Sequence, residues 1–132
     1  MAELDFSFVT WQFVQDYLLK GLYFTLFLTS VATIGGIFFG TILALMRLSG
    51  TKFLEIPASI YINGMRSIPL VMVILWFFLL VPLSFYKGLG VSDGLRAEAS
   101  AVITFVAFQA AYFAEIVRAG IQSIPQGQVN AG

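Results

Sequence analysis

The chain contains no cysteine and no histidine. The lack of cysteine excludes disulfides, thiolate catalysis and cysteine-based metal sites, and the lack of histidine removes the commonest general base and metal ligand. The sequence also has no G-x-x-x-x-G-K-[ST] phosphate loop and no H-E-x-x-H motif. We therefore predict no catalytic residue, no metal site and no bound cofactor, and the chain is not expected to be an enzyme.

Charge is also scarce. Among 132 residues only seven are basic and seven acidic, whereas 59% are hydrophobic. A net charge of zero gives no basic surface for nucleic acid. So few charged side chains cannot cover a water-exposed domain, and the composition predicts an all-α integral membrane protein.

Three uncharged stretches mark the predicted membrane spans. Residues 21–46, 67–86 and 99–114 carry no charged side chain. As helices they would reach roughly 39, 30 and 24 Å, against a hydrocarbon core of about 30 Å. The third is completed by its flanking residues, so we predict transmembrane helices at about 21–46, 67–86 and 97–117.

Residues 1–20 have apolar side chains at helical spacing, with polar side chains between them. This pattern predicts an interfacial amphipathic helix before the first span; a mobile tail with scattered aromatics is the alternative. The acidic N-terminus and the long first apolar run do not fit a cleaved signal peptide, so we expect the first helix to remain in the mature protein.

The distribution of charge predicts the orientation. Residues 47–66 contain three basic residues and one acidic residue, while residues 1–20 contain three acidic residues and one basic residue. Basic loops remain on the cytoplasmic side. The N-terminus is therefore predicted outside, and the tail after the third span inside.

The first span carries a stripe of small residues. They recur every three or four positions within one arc of the helix, and they allow close approach of a second helix. A substrate-lining role for the threonines is the alternative. The predicted helix-packing residues are Thr25, Thr29, Thr33, Gly36 and Gly40.

The second span begins at Ser67-Ile68-Pro69. Ser67 is predicted to cap the helix, and Pro69 fits its first turn because no N–H is needed there. Pro82 is expected to stop or kink the same helix.

The third span has one amide side chain near its middle, Gln109. An amide at that depth needs a hydrogen-bond partner, so it is expected to face another helix, a pore water or a substrate. At the end of this span Glu115 and Arg118 stand three residues apart and are expected to pair.

After residue 117 the chain becomes polar and rich in glycine. We predict a helix continuing to Ile124, a break from Pro125 to Gly127, and the start of a new element. A short helix at this position would be presented to a cytoplasmic partner.

Two stretches resemble the polar amino-acid group of ATP-binding-cassette (ABC) importer permeases, most closely the glutamate/aspartate import permeases. Residues 61–77, YINGMRSIPLVMVILWF, resemble the family's F-R-[ST]-x-P-L-[VL] motif, with Met65 in place of phenylalanine. Residues 110–128, AAYFAEIVRAGIQSIPQGQ, resemble the family's E-[IV]-x-R-[AG]-G-I-x-[SA]-[IV]-x-x-G-Q lead-in to the coupling loop. The resemblance spans nearly the whole chain.

This resemblance implies that residues 21–132 form the first part of a five-helix type I importer permease in the bacterial inner membrane, with a periplasmic N-terminus. The implied partners are ABC ATPase subunits that carry the ATP and magnesium, a second permease subunit and a periplasmic amino-acid-binding protein. The implied ATPase-coupling segment lies within 118–132, at Gly120, Ile121, Ile124, Pro125, Gly127 and Gln128. Candidates for structural or pathway roles are Asn63, Arg66, Pro69, Gln109, Glu115 and Arg118.

The sequence departs from the family at its end, where Asn130-Ala131-Gly132 stands in place of the family's E-A-A. We expect an incomplete copy, through truncation, a frameshift or a partial gene model. The alternative is a small membrane scaffold or oligomer-forming protein, which would explain the spans and the glycine stripe but not the tail. An intramembrane enzyme is disfavoured because no span holds a histidine, a cysteine or a pair of aspartates.

Overall fold

The computed structural model describes residues 3–132, and all regular secondary structure in this range is helical. The helices, in chain order, are α1 (Trp11–Phe13), a π-helical segment (Val14–Leu19), α2 (Lys20–Leu48), α3 (Lys52–Ser67), α4 (Leu70–Leu80), α5 (Leu83–Gly88), a 3₁₀ turn (Asp93–Leu95), α6 (Arg96–Gln122) and α7 (Gln126–Ala131). The prediction of an all-helical protein is confirmed.

The first three helical segments form one continuous helix, Trp11–Leu48, of 38 residues. It begins where the Thr10 hydroxyl accepts a hydrogen bond from the Phe13 N–H. No glycine or proline interrupts residues 11–20, so the helix runs directly into the first predicted span. A separate interfacial helix before that span is not confirmed.

The second predicted span, 67–86, is broken into shorter helices. Proline restricts the residue before it to extended backbone, and both Ile68 and Val81 have this conformation, with ψ angles of 138° and 123°. Pro69 and Pro82 therefore set the two ends of α4. Ser67 does not cap α4 as predicted: it is the last residue of α3, and its hydroxyl donates back to the main-chain oxygens of Asn63 and Gly64.

Helices α3 and α4 meet at an angle of 106°. Among residues 3–132, two helices are long and apolar enough to cross a membrane, Trp11–Leu48 and Asp93–Gln122; a third crossing is counted only if the bent pair α3–α4 forms one span. The predicted number of three spans is therefore not confirmed.

Helices α2 and α6 pack closely through small residues. The buried positions of α2 are Ala32, Gly36, Gly40 and Ala44. They face α6, whose buried residues include Ala110, Ala111 and Ala114. Small side chains on both helices let the backbones approach, which is how helices associate without a hydrophobic driving force in lipid.

Arg96, the first residue of α6, connects this helix to α4. Its guanidinium group donates to the main-chain carbonyl of Phe78 and, at 3.4 Å, to that of Val81. It also lies 4.7 Å from the centre of the Phe78 ring. A cation thus satisfies carbonyls at the C-terminus of α4, where a helix has no internal partners for them.

Large apolar side chains cover much of the outer surface. Tyr23, Phe38 and Leu80 are 73%, 61% and 75% exposed. Such exposure would be unfavourable in water, and it fits helices that contact lipid or further protein.

Candidate functional site

One carboxylate joins three helices at the end of α6. Glu115 lies beside Arg47 from the end of α2, Arg66 from the end of α3, and Arg118 from its own helix. Arg47 and Arg118 donate hydrogen bonds to it, the latter at 2.9 Å. We call these four residues the Glu115 cluster.

The predicted pair of Glu115 and Arg118 is present, and Arg118 also donates to the Gln122 side chain at 2.6 Å. Arg47, which stands 68 residues from Glu115, is not among the predicted site residues. One signal was available: Arg47 ends the first span and Glu115 ends the third, so the predicted topology places both at the same membrane face. Charge pairing alone could not have selected Arg47 among the basic residues of the 47–66 segment.

A cleft with several polar side chains lies between α2 and α6. It measures about 330 Å³ and is lined by Thr25, Thr29, Thr33, Gln109 and neighbouring apolar side chains. The side chain of Gln109 has no hydrogen-bond partner within residues 3–132, which is costly for an amide inside a membrane. The cleft therefore has room for water or a small molecule beside the Gln109 amide.

The predicted helix-packing residues separate into two groups. Gly36 and Gly40 lie against α6, next to Gln109 and Phe113. The threonines instead border the cleft; Thr25 and Thr29 are exposed, and their hydroxyls donate to main-chain oxygens one turn earlier. The predicted packing role of the threonines and the alternative of a substrate-lining role both stay predictions.

Two other candidates lie apart from the cleft. Asn63 is exposed on α3, and Pro69 is exposed at the start of α4. Neither borders the cleft, and their roles stay predictions. Within residues 3–132, no group of three or more acidic side chains is placed to hold a metal ion.

The predicted coupling segment forms an exposed projection. Helix α6 continues to Gln122, two residues short of the predicted end, and the chain then turns at Ser123–Pro125 into α7. Every residue from 119 to 132 is exposed, including Ile121, Ile124 and Val129. This segment presents apolar as well as polar side chains, and its role in coupling stays a prediction.

Comparison with known proteins identifies relatives along almost the whole chain. The glutamate/aspartate import permease proteins GltK of two Escherichia coli strains, O6:H1 and O157:H7, are 47% identical over 133 residues, covering 99% of this chain and 58% of each relative. The glutamate transport system permease protein GluC of Corynebacterium glutamicum is 32% identical and covers 92% of this chain and 55% of its own length. The chain thus spans little more than half the length of these relatives. No family model matches the sequence.

The fold has a relative among solved structures. A crystal structure of an amino acid ABC transporter with histidines matches with a TM-score of 0.76 and 30% sequence identity, over 98% of this chain and 56% of the solved chain. Sequence and fold therefore agree: the chain is a homologue of the permease proteins of amino-acid ABC transporters, which it matches over nearly its whole length.

Proposed function

We propose that this chain is the membrane-spanning permease part of an ATP-driven importer of polar amino acids. The observation that carries the proposal is the homology to amino-acid permeases together with a long apolar helix, α6, that is followed by an exposed short helix, α7. In the proposed orientation the N-terminus is periplasmic, and α7 lies in the cytoplasm of a bacterial cell. The transmembrane helices would line the pathway with a second permease subunit.

Coupling to the ATPase is proposed to pass through α6. This helix is continuous from Arg96 to Gln122, so a displacement at its cytoplasmic end is transmitted along its length. The Glu115 cluster would add α2 and α3 to the same moving unit, because it connects the ends of all three helices. Movement of such a unit against a second subunit is the general route to alternating access.

The proposed partner of α7 is an ABC ATPase subunit. Cysteine cross-linking can test this contact, because the sequence contains no cysteine and a cysteine at Gln128 would be its only thiol. With an ATPase subunit of a glutamate/aspartate importer co-expressed, Gln128→Cys should cross-link to it. The control Phe53→Cys, 86% exposed at the start of α3, should not. Cross-linking only between copies of this chain would instead support a scaffold or oligomer.

Glutamate or aspartate is the proposed substrate, because the chain is 47% identical to proteins named as glutamate/aspartate import permeases. The test is uptake of radiolabelled glutamate by cells that express this chain. The cells lack their own glutamate permease and contain an ATPase and a glutamate-binding protein. Unlabelled aspartate should compete, whereas arginine and glutamine should not. Stronger competition by arginine or glutamine would reject this substrate while leaving the coupling proposal intact.

A further inference from the structure

The Glu115 cluster holds more positive charge than it neutralises. Three guanidinium groups face one carboxylate, so two positive charges remain in excess. Arg66 is the least engaged: its nearest guanidinium nitrogen lies 3.6 Å from the carboxylate, its side chain is 39% exposed, and it donates no hydrogen bond within residues 3–132. Its N–H groups are therefore available to another acceptor.

An aromatic surface borders Arg66. The guanidinium carbon lies 5.6 Å from the centre of the Tyr112 ring, and the Tyr112 ring lies 5.1 Å from the Phe108 ring, tilted by 40°, one helical turn closer to the middle of α6. Ile116, one turn in the other direction, is 63% exposed. A partly exposed apolar ridge on α6 thus begins beside a guanidinium group that donates no hydrogen bond within residues 3–132.

The cluster also marks a change in surroundings along α6. The residues before it belong to an apolar helix that can cross a membrane, and residues 119–132 after it are exposed and largely polar. From this change along α6 we expect Arg66 to lie where lipid headgroups meet the hydrocarbon core. Guanidinium groups match phosphate oxygens with paired hydrogen bonds, and basic residues at this depth attract anionic lipids.

We propose that Arg66, supported by the excess charge of the Glu115 cluster, binds the phosphate of an anionic phospholipid whose acyl chain lies along Tyr112 and Phe108. The aromatic ridge selects a lipid over free phosphate, because free phosphate would leave that apolar surface uncovered. The site needs no transport activity, so it is independent of the proposed function.

The test is the binding of phosphatidylglycerol by the whole chain in nanodiscs of zwitterionic phosphatidylcholine, followed by native mass spectrometry of the lipids that stay bound. Phosphatidylglycerol should be retained preferentially. Arg66→Gln should weaken its retention about five-fold, the effect expected from one basic residue near a membrane surface. Because Arg47 and Arg118 still neutralise Glu115 in this variant, the helical circular dichroism should be unchanged.

Lys52→Gln is the matched control, since Lys52 is exposed and its substitution removes one positive charge from the other end of α3. It should change retention less than two-fold. Equal loss in Lys52→Gln and Arg66→Gln would reduce the effect to general surface charge and overturn the site. Equal retention of the two lipids would also overturn it, as would inorganic phosphate binding to the chain as tightly as the lipid does.

Discussion

Gly40 of α2 lies so close to Phe113 of α6 that a Cβ atom at residue 40 would be 2.7 Å from the Phe113 Cβ and 2.8 Å from the main-chain oxygen of Ala110. The second of these neighbours is backbone and cannot move aside by a rotamer change. Glycine at position 40 is therefore required by the approach of the two helices, while its own backbone is ordinary helix.

Gly40→Ala should push α2 and α6 apart and lower the free energy of unfolding by about 1–3 kcal/mol, the usual cost of overpacking. The measurement is unfolding by sodium dodecyl sulfate in mixed micelles, followed by circular dichroism. Gly21→Ala is the control, because a Cβ at Gly21 has no neighbour within 4 Å. If both variants unfold at the same detergent fraction, the close contact does not contribute to stability.

Glu115→Gln should destabilise the chain more than any single arginine substitution in its cluster. The change leaves three guanidinium groups facing one another without their shared anion, at a cost of about 2 kcal/mol for partly buried pairs. Arg66→Gln, which removes the longest of the contacts, should cost much less. The same detergent titration measures both.

Glu98→Gln provides the control for Glu115→Gln. Glu98 is exposed near the start of α6 and forms no ion pair within the described part of the chain. Its substitution should be neutral within about 0.5 kcal/mol. An equal effect at residues 98 and 115 would show that the cluster does not hold the helices together.

The cleft beside Gln109 should be accessible to water, although it lies on a helix that can span the membrane. A cysteine reacts as the thiolate, which needs water. Thr29→Cys, on the cleft, should therefore be labelled rapidly by a charged methanethiosulfonate reagent in liposomes. Ile34→Cys should react slowly although Ile34 is 71% exposed, because we expect that side chain to face lipid. Slow labelling at both positions would mean that the cleft is filled by protein or lipid.

The predicted orientation can be tested in intact cells. Ser92→Cys should be labelled by a membrane-impermeant thiol reagent, and Ser49→Cys should be labelled only after the cells are opened. Ser49 and Ser92 are both exposed in the structure, so a difference in labelling reports the side of the membrane. Labelling of Ser49→Cys alone in intact cells would reverse the orientation and place α7 outside.

Several features were predictable because they depend on local rules. The long apolar stretches within α2 and α6 follow from where charged side chains are missing, and the end of α4 follows from Pro82, which restricts the backbone of the residue before it. The pair of Glu115 and Arg118 follows from helical spacing. The sequence could not show that residues 11–19 continue into α2, because amphipathic spacing does not specify where one helix ends and the next begins.

The sequence by itself determined that the chain is helical, apolar and built for a membrane, since composition and residue spacing specify these properties. Only the tertiary structure decided that Arg47 and Arg66 meet Glu115, that Gln109 faces a threonine-lined cleft, and that α3 and α4 bend at 106°. Each of these depends on how whole helices rotate and cross. Side-chain periodicity defines the faces of a helix, but the packing of several helices at once decides which faces meet.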